Sequence, residues 1–214
     1  MGGKLLLLDL DRTLVDLQSF TDYAAALADA QSIAGQVASV DVPETDWDRP
    51  TQACMSLLNA LAGSPAWIEA SASIARYERA AIPQAQVMPT VLDTLEILRG
   101  HPVAVVTLLP ADVSVEVLQF CGIQVGAGAE VDLVIGRDPG MRPKPHPDGL
   151  QAACQALGRS CGEATMIGDS TWDRDAAWAA GSAFIGVPAT GTDLGPGVTL
   201  ARTFAEAVRR AVDN

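Results

Sequence analysis

The apolar positions of this chain fall into two kinds of run. Short, nearly unbroken runs occur at 4–8, 102–107, 131–135 and 165–168, with a fifth at 183–187. Runs this short and continuous predict strands buried on both faces. Between them, apolar residues recur at three- and four-residue spacing. In 90–99 they are Val91, Leu92, Leu95 and Leu98, followed by Gly100. The segments 111–121, 148–157 and 173–180 stop at Gly122, Gly158 and Gly181. A glycine just past a helix is a natural stop, because it enters the left-handed region cheaply. Residues 204–212 predict a last helix. Strands alternating with helices predict an α/β fold with a parallel sheet and right-handed crossovers.

The interval from about 17 to 85 breaks this rhythm. It is Ala-rich, with helical patterns at 20–40, 52–61 and 65–81, punctuated by Pro43, Pro50, Pro65 and Pro83. A crossover between neighbouring strands needs far fewer residues. The pattern predicts a helical insert at 16–83, set between core segments 1–15 and 84–214. Residues 188–198 read as a Gly/Pro-rich loop.

Composition narrows the function classes. The chain has 214 residues, enough for one domain with a small insert. An apolar content of 49% is that of a packed chain, not a disordered one. A net charge of −12 argues against nucleic acid and against an anionic membrane as partner. No apolar stretch approaches the ~20 residues of a membrane span. The four leucines after Lys4 are shorter than a signal-peptide core of ~7–15 residues. The expected setting is cytoplasmic. Cys54, Cys121, Cys154 and Cys161 follow no CxxC spacing, and the chain has two histidines. No zinc site is suggested, and free thiols are expected.

The polar residues that matter sit where the predicted strands end. Parallel sheets bind ligands beyond the carboxyl ends of their strands. Asp9 and Asp11 follow the first strand, Thr107 closes the second, and Lys144 lies in "RPKPHPD" after the third. Asp169 follows the fourth, with Asp173 four residues on. Carboxylates gathered in one place raise each other's pKa unless a cation sits among them. Lys144 and a divalent ion would serve. An oxygen-only donor set suits Mg²⁺.

Four segments in order, "DLDRT" at 9–13, "VVT" at 105–107, "RPKP" at 142–145 and "GDSTWD" at 168–173, resemble the motifs of the haloacid dehalogenase superfamily. The resemblance is to its phosphatase branch, phosphoglycolate phosphatase-like, with a helical cap between motifs one and two. It implies a Rossmann-like core with helices on both faces and a small α-helical cap. It implies a nucleophilic Asp9 that forms an aspartyl-phosphate, and an Asp11 that protonates the leaving oxygen and then activates water. Mg²⁺ would be held by Asp9, the backbone carbonyl of Asp11 and Asp169, with Asp173 holding a metal-bound water or Lys144. Thr107 and Lys144 would contact the phosphoryl oxygens. Thr13, Arg12 and Leu108 would lie beside the substrate.

Two positions depart from the family pattern. Arg12 stands where Gly is usual, and Leu108 where Asn often follows the motif-two Thr. Absences separate the branches. The dehalogenase branch lacks the second Asp, which is present here as Asp11. The phosphonate-cleaving branch needs a cap lysine, and 16–83 contains none. The mutase branch uses a His soon after motif one, and the first His is His101. Hydrolysis of a phosphate monoester is left.

The insert carries nine acidic residues against Arg49, Arg76 and Arg79, a net charge of −6. Such a cap suits a small phosphorylated metabolite and not a polyanion. If the leaving group is a carboxylate such as glycolate, one of those arginines should pair it. Trp47, Trp67, Tyr23 and Tyr77 could stack a base or sugar, or simply pack the helices. Asp175 is expected as first-turn helix charge, His146 in a loop, and Trp172 and Trp178 in packing. Two other functions stay open: a phosphate-ligand or protein-binding module without turnover, and a phosphotransferase to an acceptor other than water. A monomer or homodimer is expected.

Overall fold

The computed structural model describes residues 3–36, 49–188 and 192–213. Trp47 and the acidic residues Asp41, Glu44, Asp46 and Asp48 lie outside them. The chain runs β1 (Leu5–Leu8), β2 (Val15–Asp16), α1 (Tyr23–Ala34), α2 (Pro50–Ala60), α3 (Ala66–Ala81) and β3 (Gln86–Val87). It continues through α4 (Leu95–Leu98), β4 (Val103–Val106), α5 (Ala111–Phe120), β5 (Leu133–Ile135) and α6 (Asp148–Ala156). It closes with β6 (Ala164–Gly168), α7 (Thr171–Ala180), β7 (Ala183–Gly186), β8 (Thr199–Leu200) and α8 (Phe204–Asp213).

Six strands form one parallel sheet in the order β5-β4-β1-β6-β7-β8. β1 is central, and its four leucines alternate between two cores. Leu6 and Leu8 join Val103 and Val105 on one face. Leu5 and Leu7 join Ala104 and Val106 on the other. A strand covered on both faces has no polar side, which is why it reads as an unbroken run. Each buried leucine contributes about 1.5–3 kcal/mol. From β1 the chain builds outward through β4 and β5, then returns to lay β6 against the other edge of β1. The strand order therefore reverses between β1 and β6. A crevice opens at such a reversal, beyond the carboxyl ends of the two strands.

Among the described residues, the segment between β2 and β3 holds three α-helices with an apolar cluster of their own, built on residues such as Leu27, Leu57, Trp67 and Ile74. At its root, β2 and β3 pair antiparallel through Val15 with Val87 and Asp16 with Gln86. α1 starts at Asp22, whose carboxylate accepts the Ala25 N–H, and Pro50 occupies the first turn of α2. The first expected helix, 20–40, is seen as a 3-10 turn followed by α1, and its last residues lie outside the described ones.

Three expectations need correction. The sheet has a sixth strand, β8, at the end of the loop read as Gly/Pro-rich. The 90–99 helix is a 3-10 turn at Leu92–Thr94 and the four-residue α4. Thr90, at φ 67°, is turned out of the helical region, and Gly100 is not left-handed, unlike Gly122, Gly158 and Gly181. Last, α7 begins two residues early at Thr171. Ser170 is its N-cap and Asp173 its third residue, each bonding the other's backbone in a capping box. All four cysteines are free. Among the described residues, no helix is long and apolar enough to cross a membrane.

Candidate active site

β1 ends at Leu8, and the Asp9 N–H bonds the Ile167 carbonyl of β6. That bond places Asp9 at the reversal point, with Asp169 just past the end of β6. The chain then turns sharply: the N–H groups of Leu14 and Val15 both donate to the Leu10 carbonyl. The turn brings Thr13 back, and its hydroxyl donates to Asp9 Oδ2 at 3.2 Å. Asp9 and Asp11 are thereby not on opposite faces of a strand; both line one cavity of about 260 Å³.

Lys144 reaches that point from the loop after β5. Its ammonium, 4% exposed, donates to Asp9 Oδ1 and Asp173 Oδ1, each at 2.5 Å, and to the Val106 carbonyl at 2.9 Å. Burial alone would lower its pKa; Asp173 and Asp9 outweigh burial and raise it. Asp173 is held on its other oxygen by the Ser170 hydroxyl at 2.6 Å and the Ser170 N–H at 3.1 Å. It therefore caps α7 and orients Lys144. Gly168 makes room for it, since a Cβ there would fall 2.6 Å from the Asp173 side chain.

Carboxylate oxygens of Asp9, Asp169 and Asp173 can all lie within 4.8 Å of one another. Burial and the Asp173 charge push Asp9 up to about 6 despite Lys144. Burial, Asp9 and Asp173 push Asp169 up to about 8. The lysine is spent on Asp9 and Asp173, so the cluster is short of positive charge at Asp169. Three hard oxygens with that deficit fit a divalent cation such as Mg²⁺. The Asp11 carboxylate is outside the cluster. It accepts the N–H groups of Leu17 and Gln18 at 2.9 and 3.0 Å, and burial pushes it up to about 7.

The other expected site residues divide into two sets. Thr107, Leu108 and Arg12 line the cavity. Thr107 is buried, and its hydroxyl accepts the Leu109 N–H at 3.2 Å. Arg12 has a left-handed φ of 64° and an exposed side chain. Arg49, Arg76 and Arg79 do not line it. Arg79 is paired with Asp112 at 2.7 Å and Glu116 at 2.9 Å on α5. Arg76 is mostly exposed and near Asp29 at 3.5 Å. Trp172 lines the cavity, whereas Trp178 is half exposed beneath Arg174.

One pair was not foreseen. Arg137, after β5, donates to Glu78 Oε1 on α3 at 2.8 Å, with side chains 3% and 0% exposed. Arg137 also bonds the Ser71 hydroxyl and carbonyl and the Leu108 carbonyl. It ties the insert to the strand-end loops. Nothing local marks either residue, 59 positions apart in sequence.

The haloacid dehalogenase-like hydrolase family matches residues 4–181. The chain is 34% identical over 100 residues to pyrophosphatase PpaX of Bacillus pumilus (strain SAFR-032). That match covers 46% of this chain and 44% of the relative, so the chain spans under half of that protein's length. The fold superposes on CbbY from Rhodobacter sphaeroides, solved in complex with phosphate, with a TM-score of 0.74 at 19% identity, covering 99% of this chain and 100% of that one. A hydrolase from Pseudomonas syringae gives 0.71 at 20% identity, covering 97% of each chain.

Proposed function

Because the chain belongs to the haloacid dehalogenase-like hydrolase family, we propose that it is a Mg²⁺-dependent phosphatase that hydrolyses a small phosphate monoester. The reading is carried by Asp9 and Asp11 on one cavity wall, each oriented by different groups. Asp9 is held by Lys144 and Thr13. Asp11 is held by the N–H groups of Leu17 and Gln18.

An Asp9 oxygen attacks phosphorus, and the bond from phosphorus to the ester oxygen breaks as Asp11 delivers its proton there. Asp11, now a carboxylate, takes a proton from a water that attacks the aspartyl-phosphate. Inorganic phosphate leaves and Asp9 is restored. A carboxyl pushed up to about 7 is half protonated near neutral pH, which suits a group that must both give and take a proton. Lys144 and Thr107 offset charge on the phosphoryl oxygens. Mg²⁺, held by Asp9, Asp169 and the backbone carbonyl of Asp11, would supply the charge that lets a carboxylate meet a phosphate dianion.

We take residues 16–83 as the cap over this site. Free cysteines throughout support a cytoplasmic setting. The test is phosphate release from p-nitrophenyl phosphate with Mg²⁺. Asp9→Asn is expected to abolish it, and a variant that keeps the wild-type rate removes Asp9 from the nucleophile's role. Product analysis with added alcohols separates hydrolysis from transfer to another acceptor.

A further inference from the structure

Glu78 is fully buried, yet it lines the same cavity as Asp9 and Asp11. Its two oxygens are used unequally. Oε1 accepts both the Arg137 guanidinium at 2.8 Å and the Tyr23 hydroxyl at 3.2 Å. Oε2 has no hydrogen-bond partner among the described residues. A carboxylate has acceptor sites on both oxygens, and burying one without a donor is costly. Tyr23 and Arg137 fix the side chain, so the buried Oε2 cannot turn away to find one.

We infer that Glu78 is a specificity-determining residue whose free oxygen accepts a hydrogen bond from a hydroxyl on the leaving group, so that the substrate is a polyol or sugar phosphate.

This rests on the phosphatase reading above and deepens it. Four observations carry it toward an uncharged, hydroxylated group. The described cap arginines do not line the cavity, and Arg79 is already paired with Asp112 and Glu116, so a carboxylated leaving group meets Glu78 with no cap cation to offset it. The insert side of the cavity also presents Gln18, Thr51 and Gln52, which are polar and uncharged. Tyr23 and Glu78 line the same cavity as Asp11, the group that serves the leaving oxygen. Arg12, which does line the cavity, sits in the turn directly after Asp9 and Asp11 and so belongs to the phosphoryl end.

The test compares substrates that differ only in hydroxyls, with Mg²⁺ and the full chain: glycerol 3-phosphate against n-propyl phosphate, and ribose 5-phosphate against 2-deoxyribose 5-phosphate. In the wild type, kcat/KM is expected to favour the hydroxylated member of at least one pair by about 10- to 100-fold, the range of a hydrogen bond to a charged acceptor. Phosphoglycolate is expected to be poorer than glycerol 3-phosphate. Equal rates within both pairs overturn the inference with no variant needed. In Glu78→Met/Arg137→Met, which removes both charges together, the preference should fall toward one. A preference that survives while all rates drop assigns Glu78 to the fold alone and overturns the inference. Turnover of p-nitrophenyl phosphate without any hydroxyl preference sinks this inference only. No release from any probe sinks the phosphatase reading beneath it.

Discussion

Lys144 Nζ lies 2.5 Å from Asp9 Oδ1, a contact that joins residues 135 positions apart. Replacing the lysine, as in Lys144→Met, leaves Asp9 and Asp173 as buried neighbours of like charge. Turnover of p-nitrophenyl phosphate is expected to fall by about 10²–10³-fold, the usual cost of one charge-stabilising donor. Urea unfolding should show a loss of about 3 kcal/mol from the uncompensated carboxylates. Near-wild-type turnover would take Lys144 out of the chemistry.

Chelation by EDTA is expected to stop turnover, and added Mg²⁺ to raise Tm. The gain should depend on pH. Carboxyls pushed up to about 6 and 8 still hold protons at pH 6, and a cation must displace them. The Mg²⁺-induced shift is therefore expected to be larger at pH 8.5 than at pH 6. A shift that shrinks over that interval would place the cation elsewhere.

Arg137→Ala removes the cation from a buried carboxylate, 0% exposed, and leaves it only the Tyr23 hydroxyl. A loss of about 3–5 kcal/mol is expected in denaturant unfolding. Removing both charges, as in Glu78→Met/Arg137→Met, should recover most of it, since apolar replacement of a buried pair is often neutral. A single-variant cost below about 1 kcal/mol would mean that water reaches Glu78.

Glu130 gives the fold an acid limit. Burial raises its pKa, but the Gln124 N–H, its own backbone N–H and the Arg99 guanidinium outweigh burial and hold the carboxyl below its usual 4.5. A depressed folded-state value means that the unfolded chain binds the proton first. Stability from this group is present above pH 4.5 and lost as pH falls through the folded value. Arg99 is 46% exposed, so the contribution is about 0.5–1 kcal/mol. Glu130→Gln should flatten that part of the acid unfolding curve, and an unchanged curve would exclude it.

The five longer strands were legible because each is covered on both faces and so carries no polar alternation. β8 was not: Thr199 and Leu200 are both exposed, and a two-residue edge strand leaves no periodicity to read. Asp9, Asp11, Asp169 and Lys144, the residues of the proposed site, were legible as motifs at strand ends. The Glu78–Arg137 pair was not, because a buried acid on a helix of Ala and Ser looks like any surface glutamate until its partner is folded against it. The capping box of Ser170 and Asp173 was present in the letters "STWD", where a hydroxyl residue three before an acid marks a helix start.

Arg12 holds a left-handed φ at a turn where the family usually has glycine. For a residue with a side chain, that conformation costs about 1–2 kcal/mol. Arg12→Gly removes the strain, but it also loosens the unfolded chain, which costs about 0.4–1 kcal/mol. The two changes oppose each other, so the substitution is expected to raise unfolding stability by no more than about 1.6 kcal/mol. That partial cancellation makes position 12 a natural control within the proposed active site. Any change in turnover there reports the guanidinium's charge at the cavity, free of a confounding loss of folding.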